Sequence, residues 1–454
     1  MDFGFLLRSF SSTSILQMPL ELVYTVHHCW QALFEESLLR WESARYVSRR
    51  KVQHCRDLPS SYILKEKKQQ YALFRVEALD LESGNHRSTH ASSKVFEYLD
   101  PKDATYREAP SSLPPTMLIA WDATANDEDV LNKIEQFINS YGNGVGSIDM
   151  ATIPPDVRKI SKRSRLLLKA ALGAGGFGLY FISNAKDCLD VIQGHRDFAN
   201  KQDGFIDRLR RDYGEVPKWS LQALVHPVQV LYDGELRKSQ VRAYACAVND
   251  KVFLYNLHEV RLPIWAKATA SESDDHASTR VKDMEVENEL CGTSNAIPYN
   301  QGRLKVETMR LMLSECKELS TADRDIHACA KRFIESCAGL HSRLQTMRKT
   351  GDMVANANPS ENWTHSSMGI LGIDLIVSYK DSSRTAFDVF VLEANCNPAL
   401  PQPSKHLMSE AYRSHICKLC ENMVNLGLAD AAETSDAGRF SFTLCDTPPL
   451  KCPG

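Results

Sequence analysis

Two apolar runs near the C-terminus restrict the fold more than any other feature: MGILGIDLIVSY at 368–379 and FDVFVLEANCN at 387–397. The polar linker KDSSRT between them is turn-forming, so the pair reads as an antiparallel hairpin centred between Ser383 and Arg384. That centre sets Asp374 opposite Glu393, roughly 5 Å away. Asn395 lies two residues beyond Glu393 and shares its face, Asn397 continues the alternation, and Pro398 breaks the strand.

Two carboxylates opposed within apolar strands repel each other and lose hydration, so a cation is expected between them. An all-oxygen set of Asp374, Glu393 and Asn395 suits Mg²⁺, a hard ion often shared with substrate phosphates. The alternative, a polar edge exposed to water, sits poorly with the apolar neighbours on both strands.

A second constellation is RLLLKAALGAGGFGLYFI at 165–182. Lys169 ends an apolar strand, and Gly173, Gly175, Gly176 and Gly178 follow. Glycines let backbone N–H groups approach phosphates closely. The literal GxGxxG match is not a dinucleotide fingerprint, because the β-like LYFI follows where a helix is required. No Gly-Lys-Ser/Thr closes a Walker loop. A glycine loop between two strands fits a flap over a nucleotide, with Lys169 as a point charge on its phosphates. A tight glycine hairpin is the plainer reading.

In LRKSQVRAYACAV (236–248), Lys238, Gln240 and Arg242 alternate and share one strand face, a cationic stripe suited to phosphates and a transferring anion. Arg261, in HEVRLP, could join them. By itself such a stripe is better explained by a solvated strand face. Arg158, Lys159, Lys162, Arg163 and Arg165, with Arg208, Arg210 and Arg211, form a basic run best read as a solvated face.

With 454 residues, 43% hydrophobic and 24% charged, the chain has the composition of a globular protein of several lobes. A net charge of −3 argues against a nucleic-acid-coating protein. The 13 cysteines are scattered in apolar stretches, as expected of reduced cytoplasmic thiols. The one CxxC, Cys417 to Cys420, lacks the second pair that a zinc site needs. No run is long enough for a membrane span, and the start, MDFGFLLRSFSSTSILQ, is only a weak organellar presequence.

Along the chain, residues 19–50 read as a helix, 80–114 mainly as loop, and 116–123 and 127–142 as a strand and a helix. Strand-like sequence runs from Ser220 to Tyr255 with turns at His226-Pro227, Asp233-Gly234 and Asn249-Asp250. Residues 266–302 read as a polar insertion or lid, 303–317 and 322–349 as helices, 405–426 as a last helix, and the tail from Ala429 as loosely ordered. The expected division is a helical or irregular region at 1–114, lobes at 115–225 and 226–428, and a tail at 429–454.

Taken in order, the lysine strand with its glycine flap, Gln222-Ala-Leu-Val225, the Lys-x-x-x-Arg stripe, Gly372-Ile-Asp374 and Leu392-Glu-Ala-Asn395 resemble the ATP-grasp superfamily. The wording GIDLIV…VLEANCNP is most similar to the tubulin–tyrosine ligase family, over roughly 165–426. The resemblance implies an α+β ATP-grasp fold, two lobes gripping ATP beside an N-terminal lobe. It implies that Lys169, Gly175, Gly176, Gly178, Lys238 and Gln240 face the nucleotide. Gln222, Ala223, Leu224 and Val225 would form the hinge pairing with adenine. Arg242 and Arg261 would serve the phosphorylated carboxylate, and Asp374, Glu393 and Asn395 would hold Mg²⁺. The sequence departs from the family at Gln240, usually Asp, at His276-Ala-Ser-Thr279 for His-Leu-Thr-Asn, and at Pro398-Ala-Leu400 for Pro-Ser-Leu.

The implied activity is ATP-dependent ligation of an amino acid to a protein carboxylate, with an acidic tubulin tail as the leading acceptor. A ligase acting on small molecules and a nucleotide-binding pseudoenzyme that recruits partners are the alternatives. A cytoplasmic protein is expected, with no nucleic-acid or membrane partner.

Overall fold

Strand alternation organises this molecule and decides what faces the functional site. The computed structural model describes most of residues 86–145, 166–192, 218–265, 306–349 and 363–428, with short segments at 20–26, 32–37, 48–51, 72–80 and 441–446. In chain order the elements are β1 (Leu20–Val26), α1 (32–37), β2 (Ser48–Lys51), β3 (Ala72–Asp80) and β4 (His86–Ser92). Next come α2 (Lys102–Glu108), β5 (Thr116–Ile119), α3 (Glu128–Tyr141), β6 (Leu166–Ala170), β7 (Leu179–Ile182) and α4 (Ala185–Ile192). Then follow β8 (Trp219–Ala223), β9 (Gln229–Tyr232), β10 (Glu235–Lys238), β11 (Gln240–Val248), β12 (Lys251–Tyr255), β13 (Glu259–Trp265) and β14 (Val306–Met312). The last are α5 (Asp323–Ser336), α6 (Ala338–Lys349), β15 (Trp363–Tyr379), β16 (Phe387–Asn395), α7 (Glu410–Leu428) and β17 (Phe442–Cys445).

The class is α+β with open sheets. Eleven strands form one large sheet, in the order β14-β13-β11-β15-β4-β3-β1-β2, with β12 on β11, β17 on β12 and β16 on β15. One face of its centre carries Val241, Ala243, Val260, Leu311, Ile373, Leu375 and Ala394 into a core shared with Ile326, Ala330 and Phe333 of α5. The opposite face carries Tyr244, Cys246, Val248, Met368 and Ile370 against Ile416, Leu419, Cys420 and Met423 of α7. β11 and the 368–378 part of β15 therefore bury both of their alternating sets, which is why they are apolar almost throughout.

A separate antiparallel sheet, β5-β8-β6-β7, is backed by α3 and α4. Leu166, Leu168, Ala170, Trp219, Leu221 and Ala223 face those helices. Asn184 caps α4, accepting from the Asp187 N–H at 2.8 Å, as the sequence suggests. The β9–β10 hairpin turns at Asp233-Gly234 with φ of 51° and 77°, the left-handed pair a two-residue turn requires.

Several expectations are corrected. Residues 1–114 are not simply helical or irregular. LELVYTV, inside the supposed helix 19–50, is strand β1, paired with β2 and β3, and among the described residues of that stretch only 32–37 are helical. Its β-branched and aromatic residues favour the pleated sheet. Within 80–114 the polar sequence HRSTHAS forms β4 because it lies between β3 and β15, and α2 follows. Residues 306–312 are a strand completing the edge of β13, not part of a helix. The tail contributes β17, paired with β12. The insertion at 266–302, the basic run at 158–165 with Arg208, Arg210 and Arg211, the turn at Asn249-Asp250, Asn397, and Gly173, Gly175, Gly176 and Gly178 lie outside the described residues. Among the described residues, no helix is long and apolar enough to cross a membrane.

Candidate functional site

The hairpin register puts the site together. β15 and β16 pair Asp374 with Glu393 and Gly372 with Asn395, as the sequence leads one to expect. The route differs. Toward the turn the register is Tyr379 to Phe387 and Leu375 to Val391, so Leu392 is an extra residue, a β-bulge. Val391 therefore stays in the α5-side core opposite Leu375, while Glu393 turns to the opposite face beside Asp374. Without the bulge, Val391 and Glu393 would share a face.

Register then extends the site across five strands. One row runs Met312, Glu259, Arg242, Asp374, Glu393 from β14 to β16. The row on one side is Arg310, Arg261, Gln240, and the row on the other is Tyr244, Gly372, Asn395. Gln240, Arg242 and Arg261 thus share the face anticipated for them. Lys238 belongs to β10, in the two-stranded sheet, because Ser239 breaks the strand by donating to the Val228 carbonyl at 2.6 Å.

The chemistry at the centre is tightly paired. Arg242 donates through Nε to Asp374 Oδ1 and through Nη2 to Oδ2, both at 2.6 Å, and Asn395 Nδ2 donates to Oδ2 at 3.1 Å. Arg261 Nη1 lies 3.8 Å from Asp374 Oδ1. Glu259 is wholly buried and accepts from Arg261 Nε at 2.6 Å, Tyr244 Oη at 3.1 Å and Tyr412 Oη at 2.6 Å. Burial alone would raise the Asp374 carboxyl, but the Arg242 and Arg261 guanidiniums outweigh it and hold it below the usual carboxylate range. Glu259 behaves likewise, with Arg261 and Arg242 overcoming its burial. Gly372 leaves room for this packing, since a Cβ there would stand 2.9 Å from Pro398 and 3.4 Å from Arg242 Nε.

Asp374, Glu393 and Asn395 make an all-oxygen donor set of the kind Mg²⁺ takes, but Arg242 donates to both Asp374 oxygens, so an ion there would have to displace it. Glu393 stands opposite Asp374 in the strand register, and opposed carboxylates favour a cation beside them. Among the described residues no three His, Cys, Asp or Glu side chains cluster as metal ligands, so the donor set is two carboxylates and an amide. That is enough for Mg²⁺, which keeps waters and takes substrate phosphates.

In the smaller sheet, Lys169 is buried and stands opposite Ser220 and Leu179. Lys169, Leu167, Ser220 and Gln222 share the face turned away from α3 and α4. Gln222 Nε2 donates to Thr116 Oγ1 at 3.1 Å. After β8 the chain forms a parallel bridge between Val225 and Val145: the Val145 N–H donates to the Leu224 carbonyl at 2.7 Å and the His226 N–H to the Val145 carbonyl at 3.0 Å. The Ala223 N–H is taken by the Pro115 carbonyl at 2.9 Å. In this pattern the amide and carbonyl of Val225 itself point away from Val145.

Cys417 and Cys420 are buried on α7, and burial raises the Cys420 thiol well above its ordinary value, so the CxxC packs as a neutral apolar pair. Sequence reasoning missed Glu259, Tyr244, Tyr412 and Arg310. The available signal was Glu259 two residues before Arg261, hence on the same face, inside an otherwise apolar strand. No family model matches the chain, and no curated protein matches it either.

Proposed function

We propose that the chain is an ATP-dependent carboxylate–amine ligase of the tubulin–tyrosine ligase type, with an ATP-grasp fold whose two lobes grip ATP. The observation that carries this reading is the hairpin register that turns Asp374, Glu393 and Asn395 onto one face beside Arg242 and Arg261. Bringing a carboxylate to a triphosphate requires positive charge fixed in a water-poor site. Asp374, Glu393 and Asn395 would hold Mg²⁺, which when bound supplies charge neutralisation at the phosphates.

Lys169 and Lys238, with the glycines at 175, 176 and 178, would bind the phosphates, and Gln222 to Val225 would receive the adenine edge. Gln240 would lie beside the nucleotide as a neutral group. The acceptor carboxylate oxygen attacks the γ-phosphorus and the β–γ bridging bond breaks, releasing ADP and leaving an acyl phosphate. Arg242 and Arg261 steady the charge on that group. The amine of an amino acid then attacks the acyl carbon, phosphate leaves with the C–O bonding electrons, the nitrogen gives up a proton, and an amide results. The acceptor proposed is a protein carboxylate, with an acidic tubulin tail as the lead. A cytoplasmic setting fits the nine described cysteines, all buried and none of them in a disulfide.

A second reading has its own support. Arg242 already fills both Asp374 oxygens, and Gln240 is neutral, which favours a nucleotide-binding interaction module without turnover. ADP release with candidate amino acids and an acidic peptide separates the two. The ligase reading expects wild-type turnover, reduced at least ~10²-fold in Glu393→Gln with an unchanged melting midpoint. Turnover that survives the substitution removes Glu393 from the metal set, and a wild type that never releases ADP leaves the module.

A further inference from the structure

Both buried carboxylates of the sheet face are already paired with Arg242 or Arg261, and one guanidinium is left over. A carboxylate accepts about four hydrogen bonds. On Glu259, Oε1 takes two guanidinium nitrogens of Arg261, and Oε2 takes the hydroxyls of Tyr244 and Tyr412. On Asp374, Oδ1 takes Arg242 and faces Arg261, and Oδ2 takes Arg242 and Asn395. Arg310 stands directly opposite Arg261 on the neighbouring strand, a placement that like charges avoid. Among the described residues it makes no ion pair. Its Nη1 reaches only the Thr308 carbonyl, at 3.3 Å, and its Nε is buried with no hydrogen-bond partner.

The backbone fixes Arg310 where it is. Its N–H donates to the Leu407 carbonyl at 3.2 Å, and its carbonyl accepts from the Ser409 N–H at 3.0 Å. These bonds tie β14 to the start of α7. A cation held opposite another cation, with a donor left idle, marks a place for an anion. The Arg242 row serves the reacting carboxylate, and the row of Arg310, Arg261 and Gln240 lies one step along the same face. We propose that Arg310, with Arg261 beside it, is a second oxyanion subsite that holds a carboxylate of the substrate other than the one that reacts. The assignment of that carboxylate to a substrate rests on the ligase reading; the subsite rests on the geometry alone.

The test is calorimetric titration of the full chain with glutarate, a dicarboxylate, and with inorganic phosphate, in wild type, Arg310→Gln and Arg310→Lys. Circular-dichroism melts of each variant and ADP release run in parallel. The expected result is glutarate binding at least ~10-fold weaker in Arg310→Gln and partly regained in Arg310→Lys, as loss of one charged hydrogen bond implies. Equal affinity in wild type and Arg310→Gln, or no glutarate binding by wild type, overturns the subsite. Phosphate bound in an Arg310-dependent way without glutarate overturns the carboxylate assignment. If Arg310→Gln melts early, Arg310→Lys decides, because it keeps the charge and lacks the Nε donor. ADP release with no Arg310 effect removes the subsite alone, whereas an Arg310 effect without ADP release removes the ligase and leaves the subsite.

Discussion

The two ends of one sheet face differ sharply although the same strands build both. At the far end Cys246, Val248, Met368 and Ile370 meet Ile416, Leu419, Cys420 and Met423 of α7, with no charge among them. At the near end the same alternate positions of β11 and β15 are Arg242 and Asp374. The change falls at Tyr244, whose ring lies in the apolar cluster and whose hydroxyl reaches Glu259. Helix α7 begins at Glu410, and Tyr412 in its first turn is the residue it sends into the charged end. Helix cover explains the apolar end. Nothing in packing requires ions at the other, since a buried ion pair is commonly no better for stability than apolar residues of the same volume. The proposed ligase gives those charges a binding role that packing does not.

The largest effect expected from that contrast is at Arg242. Arg242→Ala leaves Asp374 buried and uncompensated, at a cost of about 3–5 kcal/mol in urea unfolding. It should also lose amide formation while retaining nucleotide binding. Replacing both partners, Arg242→Met with Asp374→Leu, should recover most of that stability and none of the ligation. A single substitution costing under ~1 kcal/mol, or a double one no better than the single, would break the contrast by making the charged end a structural element like its neighbour.

Two buried histidines come next, His415 on α7 and His258 beside His327 of α5. His258 and His415 are almost fully buried, and the nitrogens of both rings lack hydrogen-bond partners in the protein. Burial lowers His258 to about 3, helped by His327 and His415, and lowers His415 to about 4 against the pull of Glu259. The unfolded chain takes up protons below about 6.5 while the native one stays neutral, so stability falls as pH drops from 6.5 toward 4. Asp374 and Glu259, with depressed values, lose their contribution only below the ordinary carboxylate range. Each histidine contributes about 1.4 kcal/mol per pH unit, hence ~2 kcal/mol by pH 5. Urea midpoints at pH 7.5 and 5 should show the loss, roughly halved in His415→Phe. An acid slope that starts only below pH ~4 would shift the effect to the carboxylates.

The charged end was more legible in the sequence than the rest of its sheet, for a physical reason. Asp374 is a polar residue in a strand buried on both faces, and Glu393 and Asn395 are polar residues closing an apolar, half-buried strand, so each stands out. Their pairing follows from one short turn. The turn itself is centred half a residue away from the position read from sequence, and the Leu392 bulge restores the register at the site. A bulge has no reliable sequence signature, so the agreement owes something to compensation. Glu259 had its spacing to Arg261 as a signal, whereas Tyr412 and Arg310 were not legible, because they meet it only through strand order and the placement of α7. For the same reason β4 passed as loop and β14 as helix: HRSTHAS and VETMRLM become strands through partners distant in sequence.

The smallest effect concerns how α7 is joined to the charged end. Ser409 Oγ accepts from the Tyr412 N–H at 3.0 Å, capping the helix, and donates to Glu315 Oε2 at 2.6 Å. Glu315 in turn accepts from the Met312 N–H at 2.7 Å, beside the Glu259 row. Ser409→Ala should therefore cost about 1 kcal/mol, the usual loss of a cap. Ser409→Thr should restore it. Because Tyr412 is fixed by the cap and by Glu259 together, the Glu259 bond should persist and nucleotide binding should stay near wild type. A loss of nucleotide affinity in Ser409→Ala at unchanged stability would mean that the cap, not the strand register, holds the charged end in place. The two ends of the face would then be set by the same helix.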